Sequence, residues 1–251
     1  MDNDAYLQKR LLDLANRAYQ QNIYTYTNFL NIIELQQYHK MYRELSFIES
    51  DSFGGVESCE RQVVQFGSES DLGYPGVYPI DLIKISPLIA KFSDDLTHRD
   101  YLGAVLNLGI DRNLIGDIVI KGHTGYLFCM NHITQFILDN LIKIKHTNVS
   151  CQLTDVQLED IAPKKEEIEL IAASPRIDAV CASLTKLSRT QTVELFRTKK
   201  IFLNGICCEN NSYSLKPDDV LVIRGTGKFI YQSEGAETRK GRVYVKLLKY
   251  I

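Results

Sequence analysis

The sequence predicts an α+β chain in three parts: a mainly helical N-terminal part, a middle domain of βαββαβ order and a C-terminal module of short helices and strands. Three observations carry this expectation. Apolar residues near the N-terminus recur at three- and four-residue spacing, the middle alternates strand-like and helix-like runs, and basic residues concentrate in the last third. The chain has 251 residues, 45% hydrophobic and 24% charged, which excludes wholesale disorder, a collagen-like fibre and a coiled coil.

Residues 1–72 form the first part. Leu7, Leu11, Leu14 and Ala18 mark one helix, and Phe29, Ile32, Ile33 and Leu35 a second. Ser50 to Gly55 breaks the helical pattern, and Arg61 to Phe66 reads as a short strand. Tyr19, Tyr24, Tyr26, Tyr38 and Tyr42 carry rings able to stack on bases, but helical spacing favours them as core-edge residues.

A boundary follows at Gly73-Tyr-Pro-Gly-Val-Tyr-Pro79, where two prolines and two glycines punctuate the chain. Residues 73–165 then read as strand Ile80 to Ile85, helix Asp100 to Ile110, strands Asp117 to Ile120 and Tyr126 to Met130, helix Ile133 to Ile144, and a strand from Val149 to Leu153. Lys121-Gly-His-Thr-Gly125 joins the two central strands as a hairpin. This is the ferredoxin-like split order that RRM-like modules also use, although a fold alone does not establish RNA binding. A charged link, Pro163 to Glu167, leads into a possible strand from Ile168 to Ala172.

Residues 166–251 form the third part. From Arg176 onward there are 14 Lys+Arg against 7 Asp+Glu, a net of +7, while the rest of the chain holds 15 against 24, a net of −9. A basic third on an acidic body points to one module that meets a polyanion. Ile177, Val180, Leu184 and Leu187 place a helix over Arg176 to Leu187. Ser188 and Gln191 form a capping box for a second helix, Arg189 to about Lys199, which buries Val193 and Phe196. A strand, Ile201 to Leu203, enters a turn at Asn204-Gly205, and a turn at Lys216 to Asp219 precedes the strand Val220 to Ile223.

This run resembles the S-four RNA-binding module. Arg176-Ile-Asp178, Leu187-Ser-Arg189, Leu203-Asn-Gly205, Tyr213 and Lys216-Pro-Asp-Asp-Val220 carry the resemblance, with Phe196 where a smaller aliphatic is usual. It implies RNA contact by Arg176, Ser188, Arg189, Arg197, Lys199, Lys200 and Asn204. Each also has a plainer reading: Ser188 as a cap, Arg176 as the partner of a carboxylate, Lys199-Lys200 as a solvated helix end. As a cluster they favour phosphate binding.

Thr97-His-Arg-Asp-Tyr-Leu-Gly103, Leu108-Gly-Ile-Asp-Arg112 and Ile115-Gly-Asp-Ile118 resemble the middle region of the YlmH family. That resemblance implies a non-enzymatic protein that binds rRNA or tRNA on the large ribosomal subunit and acts in ribosome-associated quality control. An RNA-modifying enzyme and a cell-division-linked adaptor, binding a protein partner through its N-terminal domain, are the alternatives.

Catalytic fragments do not assemble. His98-Arg99-Asp100 lacks the asparagine of a kinase loop, and Gly225-Thr-Gly-Lys228 lacks the glycine of a phosphate loop and reads as a turn. Histidines 39, 98, 123, 132 and 146 show no metal-ligand spacing, so no catalytic residue, metal or cofactor is expected. The six cysteines show no disulfide framework, and Cys207-Cys208 read as packed thiols on opposite faces of a strand. An acidic N-terminus without an apolar run predicts a cytoplasmic protein away from membranes.

Overall fold

The computed structural model describes residues 3–56, 59–154 and 165–250. The start of the expected charged link, Pro163-Lys164, and the acidic Met1-Asp2 lie outside them. The chain divides into two compact units, Met1–Ala162 and Pro163–Ile251.

In the first unit, α1 (Asn3–Gln21) buries Leu7, Leu11, Ala15 and Ala18, one stripe at helical spacing. Asn31 caps α2 (Ile32–Lys40): its side-chain oxygen accepts the Ile33 and Glu34 N–H groups at 2.9 and 3.1 Å, and the Glu34 carboxylate accepts the Asn31 N–H at 2.7 Å. The helices lie with a small antiparallel sheet of order β1-β3-β2, made of β1 (Thr25–Tyr26), β2 (Ser50–Phe53) and β3 (Val63–Phe66). The stretch expected only to interrupt the helices is therefore partly a strand. Ser50–Phe53 lacks apolar alternation and gains its conformation from pairing with Phe66 through Val63. Tyr38 is 8% exposed, in keeping with a core-edge role, whereas Tyr19 and Tyr42 are 61% and 64% exposed.

The middle of the unit runs β4 (Ile80–Pro87), α4 (His98–Leu106), β5 (Ile115–Lys121), β6 (Thr124–Met130), α5 (Thr134–Asn140), β7 (Lys143–Ile144) and β8 (Thr147–Leu153). A short helix, α3 (Glu69–Leu72), precedes it. The strands form one antiparallel sheet of order β5-β6-β4-β8-β7. Helix α5 stops at Asn140, short of the expected Ile144, because Lys143 and Ile144 pair with β8 instead. One face packs Ile83, Ile85, Leu127 and Cys129 against Tyr101, Val105 and Ile137 of the helices.

Within the Thr97–Gly103 run, the Asp100 carboxylate accepts the Thr97 N–H at 2.8 Å and the Thr97 hydroxyl at 2.7 Å, and meets Lys145 Nζ at 2.8 Å. Lys145 and then Thr97 hold that carboxyl down at about 2. Tyr101 is fully buried, donates its hydroxyl to the His123 carbonyl at 3.2 Å, and fills the space a side chain at Gly125 would need.

The opposite face of the sheet is covered by the N-terminal segment: Leu82, Phe128 and Met130 pack with Phe29, Val56, Cys59 and Val63. Two arginines staple this seam. Arg61 donates to the carbonyls of Ile115 (2.9 Å), Phe29 (3.1 Å) and Arg112 (3.3 Å), and Arg112 donates to those of Ile115 and Gly116. The Asp117 carboxylate accepts the Glu60 and Arg61 N–H groups at 2.6 and 3.3 Å, and a Cβ on Gly116 would strike the Phe29 ring. Arg112, the Ile115 carbonyl, Gly116 and Asp117, from the runs that carry the YlmH resemblance, thus help build a packing seam, while Ile110, Ile115 and Ile118 send their side chains into the core on the other face.

The second unit is a six-stranded antiparallel sheet of order β11-β10-β12-β13-β14-β9, with α6 (Ile177–Thr185) and α7 (Arg189–Arg197). The strands are β9 (Lys165–Ala172), β10 (Ile201–Leu203), β11 (Ile206–Cys207), β12 (Val220–Ile223), β13 (Gly227–Glu237) and β14 (Val243–Tyr250). Its core joins Ile177, Val180, Cys181 and Phe196 of the helices to Ile201, Leu221, Phe229, Tyr231, Val245 and Leu247 of the sheet. Thr192 is buried in the second helix beside Phe196, while Val193 is only half-buried.

Candidate nucleic-acid interface

The junction between α6 and α7 sets the basic residues of the second unit. Ser188 accepts the Gln191 N–H at 3.4 Å, and Gln191 Oε1 accepts the Ser188 N–H at 3.0 Å and hydroxyl at 2.9 Å. This reciprocal cap starts α7 at Arg189, whose side chain is exposed. The Ser188 hydroxyl is thereby engaged in the fold.

Arg176 takes the carboxylate partner foreseen as its plainer role. Its Nε and Nη2 meet the two Asp178 oxygens at 3.1 and 2.9 Å, and Nη2 reaches Ser212 Oγ at 3.4 Å. A two-point grip fixes the guanidinium plane and leaves the group partly open to solvent. Buried Asp178 also accepts the Ala179 N–H at 2.9 Å at the start of α6.

Arg176 and Arg189 come together on one open cleft of about 440 Å³, joined by Arg242. Apolar Leu187, Ile171 and Ala182 supply other parts of its lining, and among the described residues Asp178 is its only carboxylate. Sequence reasoning missed Arg242. It leaves the turn between β13 and β14, where the Thr238 N–H and hydroxyl oxygen bond Arg242 across the turn. The signal was present as Arg239-Lys-Gly-Arg242.

The other expected contacts lie away from this cleft. Arg197 is exposed and meets Glu194 at 3.4 Å. Lys199 adopts a left-handed conformation, φ 54°, that ends the helix, and exposed Lys200 follows. Asn204 also has positive φ, 48°, before Gly205 at 78°, the pair a tight hairpin needs. Its amide donates to Asp219 at 2.8 Å and accepts the Val220 N–H at 2.8 Å, tying two turns together.

Chemically, three guanidinium groups around an open cleft can neutralise phosphates, and the apolar lining can meet a sugar or base. Cys181 on the buried face of α6 is a packing residue, its thiol pushed up to about 12 by burial. Among the described residues no group of three or more His, Cys, Asp or Glu is disposed to hold a metal ion, and no helix is long and apolar enough to cross a membrane.

Comparison with known proteins bears on the middle of the first unit. Residues 77–160 match the family described as "Putative RNA-binding domain in YlmH". A relative from Bacillus subtilis (strain 168), named Ribosome-associated protein quality control protein P2, is 29% identical over 148 residues, which is 58% of this chain. The match spans 57% of that relative's length. A solved structure titled Cell division protein ylmH, from Streptococcus pneumoniae, superposes with a TM-score of 0.51 at 22% identity, covering 64% of this chain and 96% of that one, a likeness of fold. Residues 77–160 are thus similar to the RNA-binding domain of YlmH, and the relative matches over little more than half of either chain.

Proposed function

We propose that the protein is a cytoplasmic, non-enzymatic RNA-binding factor of the ribosome, contacting rRNA or tRNA on the large subunit in quality control of obstructed ribosomes. The observation that carries this is the cleft of Arg176, Arg189 and Arg242 in the basic third of the chain. The named function of the Bacillus subtilis relative and the RNA-binding-domain family of residues 77–160 support it. On this proposal the chain has three parts, 1–72, 73–165 and 166–251, the middle one RRM-like and the last an S-four module. Recognition is by charge and shape, with Arg189 and Arg242 on phosphates and Arg176 held in place by Asp178.

The Phe128 ring is 1% exposed under Gly55, so the sheet strand that would present stacking aromatics is closed there. On this proposal the phosphate contacts are those of the second unit. A protein-binding role for the N-terminal helices draws on a different observation: Tyr6, Tyr19 and Ile33 are exposed on α1 and α2.

Sedimentation with ribosomal subunits tests the proposal. The wild type co-migrates with the large subunit at low salt, and the double variant Arg189→Ala/Arg242→Ala does not. Arg176 is left intact because removing it strands buried Asp178. Co-migration that survives the double variant moves the contact to the first unit. Absence of wild-type co-migration removes the ribosome from the account.

A further inference from the structure

The helix-bearing side of the second unit holds the cleft, while the other face of its sheet carries a row of rings and cations outside the cleft. Residues alternate along the strands, so Ile201, Leu221, Ile223, Phe229 and Leu247 enter the core and their neighbours turn outward. Register then aligns the outward set. Phe202 pairs with Val222, and Val222 with Lys228. Lys228 Nζ sits 4.7 Å from the centre of the Tyr250 ring, and Tyr250 pairs with Lys165, whose Nζ is 5.5 Å from the same ring. At the other end the Arg224 guanidinium lies 4.6 Å from the centre of the Phe202 ring, with exposed Lys200 bonded to Arg224 through the backbone.

The result is a band across five strands with a ring and a cation at each end. Val220, Ile230 and Leu248 form a half-buried apolar row beside it. The carboxylates on this face come from β9; Glu167 is one, and it meets Lys246 at 3.8 Å. Phe202 and Tyr250 are three strand spacings apart, about 14 Å. Arg242 stands at the opposite end of β14 from Tyr250, roughly 25 Å away at the usual rise per residue.

Aromatic rings interleaved with cations suit unpaired nucleotides. Bases stack on the rings or on the guanidinium plane while Lys and Arg meet the phosphates. A duplex offers no base faces to a flat sheet, so it gains nothing from the rings. We propose that this face binds single-stranded RNA, as a second site distinct from the arginine cleft. Phe202 and Tyr250 are its stacking platforms, and Arg224, Lys228 and Lys165 its phosphate contacts.

The test uses the full chain and two probes, a short labelled oligouridylate and a fully paired RNA duplex, by fluorescence anisotropy at one fixed salt concentration. Phe202→Leu and Tyr250→Leu each weaken oligouridylate binding about fivefold or more and leave the duplex unaffected. Arg189→Ala does the reverse. Thermal melts check that the variants are folded, and Lys165→Gln/Lys228→Gln, which spares the apolar packing, gives the same selective loss if a ring variant is not. The proposal is overturned if the folded wild type does not bind oligouridylate, if the folded variants bind it unchanged, or if both probes weaken together. Failure of Arg189→Ala to affect the duplex counts against the cleft alone.

Discussion

Arg61 and Arg112 in the first unit and Arg189 and Arg242 in the second carry the same group into opposite surroundings. The first pair is taken up by backbone carbonyls of Phe29, Arg112, Ile115 and Gly116. Burial lowers both pKa values, Arg112 to about 10, with Arg61 nearby as its second cause. The second pair faces an open cleft. A guanidinium buried against carbonyls stabilises a seam, whereas one left in water is available to a phosphate. Counting charges cannot separate the two fates; their hydrogen-bond partners can.

Removing a seam arginine has the largest expected effect. Arg61→Ala leaves the Phe29 carbonyl short of a donor, removes one of the two arginine donors to Ile115, and should cost about 2–3 kcal/mol, measured from the urea midpoint. A loss under about 0.5 kcal/mol would break the comparison, because it would put Arg61 in the class of ordinary surface residues.

Arg189→Ala should behave conversely. Stability stays within about 0.5 kcal/mol of wild type. The slope of log affinity for RNA against log salt flattens by about one unit, as one phosphate contact is lost. An unchanged slope would withdraw Arg189 from the interface.

The smallest effect is confined to acid. The folded Asp100 carboxyl is held at about 2, below its unfolded value, so its contribution is present above about pH 4 and fades as pH falls toward 2. Asp100→Asn should flatten that limb of the stability profile and leave neutral pH RNA binding alone. A wild-type acid limb retained in the variant would show that other carboxylates set it.

What could be read from the sequence was whatever depends on neighbours in the chain. Leu7, Leu11 and Ala18 marked α1, Ser188 and Gln191 marked the cap of α7, and Lys121–Gly125 marked the hairpin between β5 and β6. Elements fixed by distant partners were not legible. Ser50–Phe53 becomes a strand only beside β3, and helix α5 ends early because β8 captures Lys143–Ile144. Arg242 reaches the cleft because β14 lies against β9, with Val243 opposite Ala172. The residues of the YlmH resemblance were visible as a pattern, but only the carbonyls that Arg112 meets show that it closes a seam.

The pairing of β9 with β14 has a consequence for how the protein is made. β9 opens the second unit and is an edge strand whose sheet neighbour is the last strand, Lys165 through Ala172 running against Tyr250 through Val243. During synthesis β9 must wait, unpaired, until β14 has left the exit tunnel. Arg176 and Arg189 are translated long before Arg242 can join them. A nascent chain therefore has its basic helices before it has the cleft, and the binding surface is completed only once β14 has paired with β9.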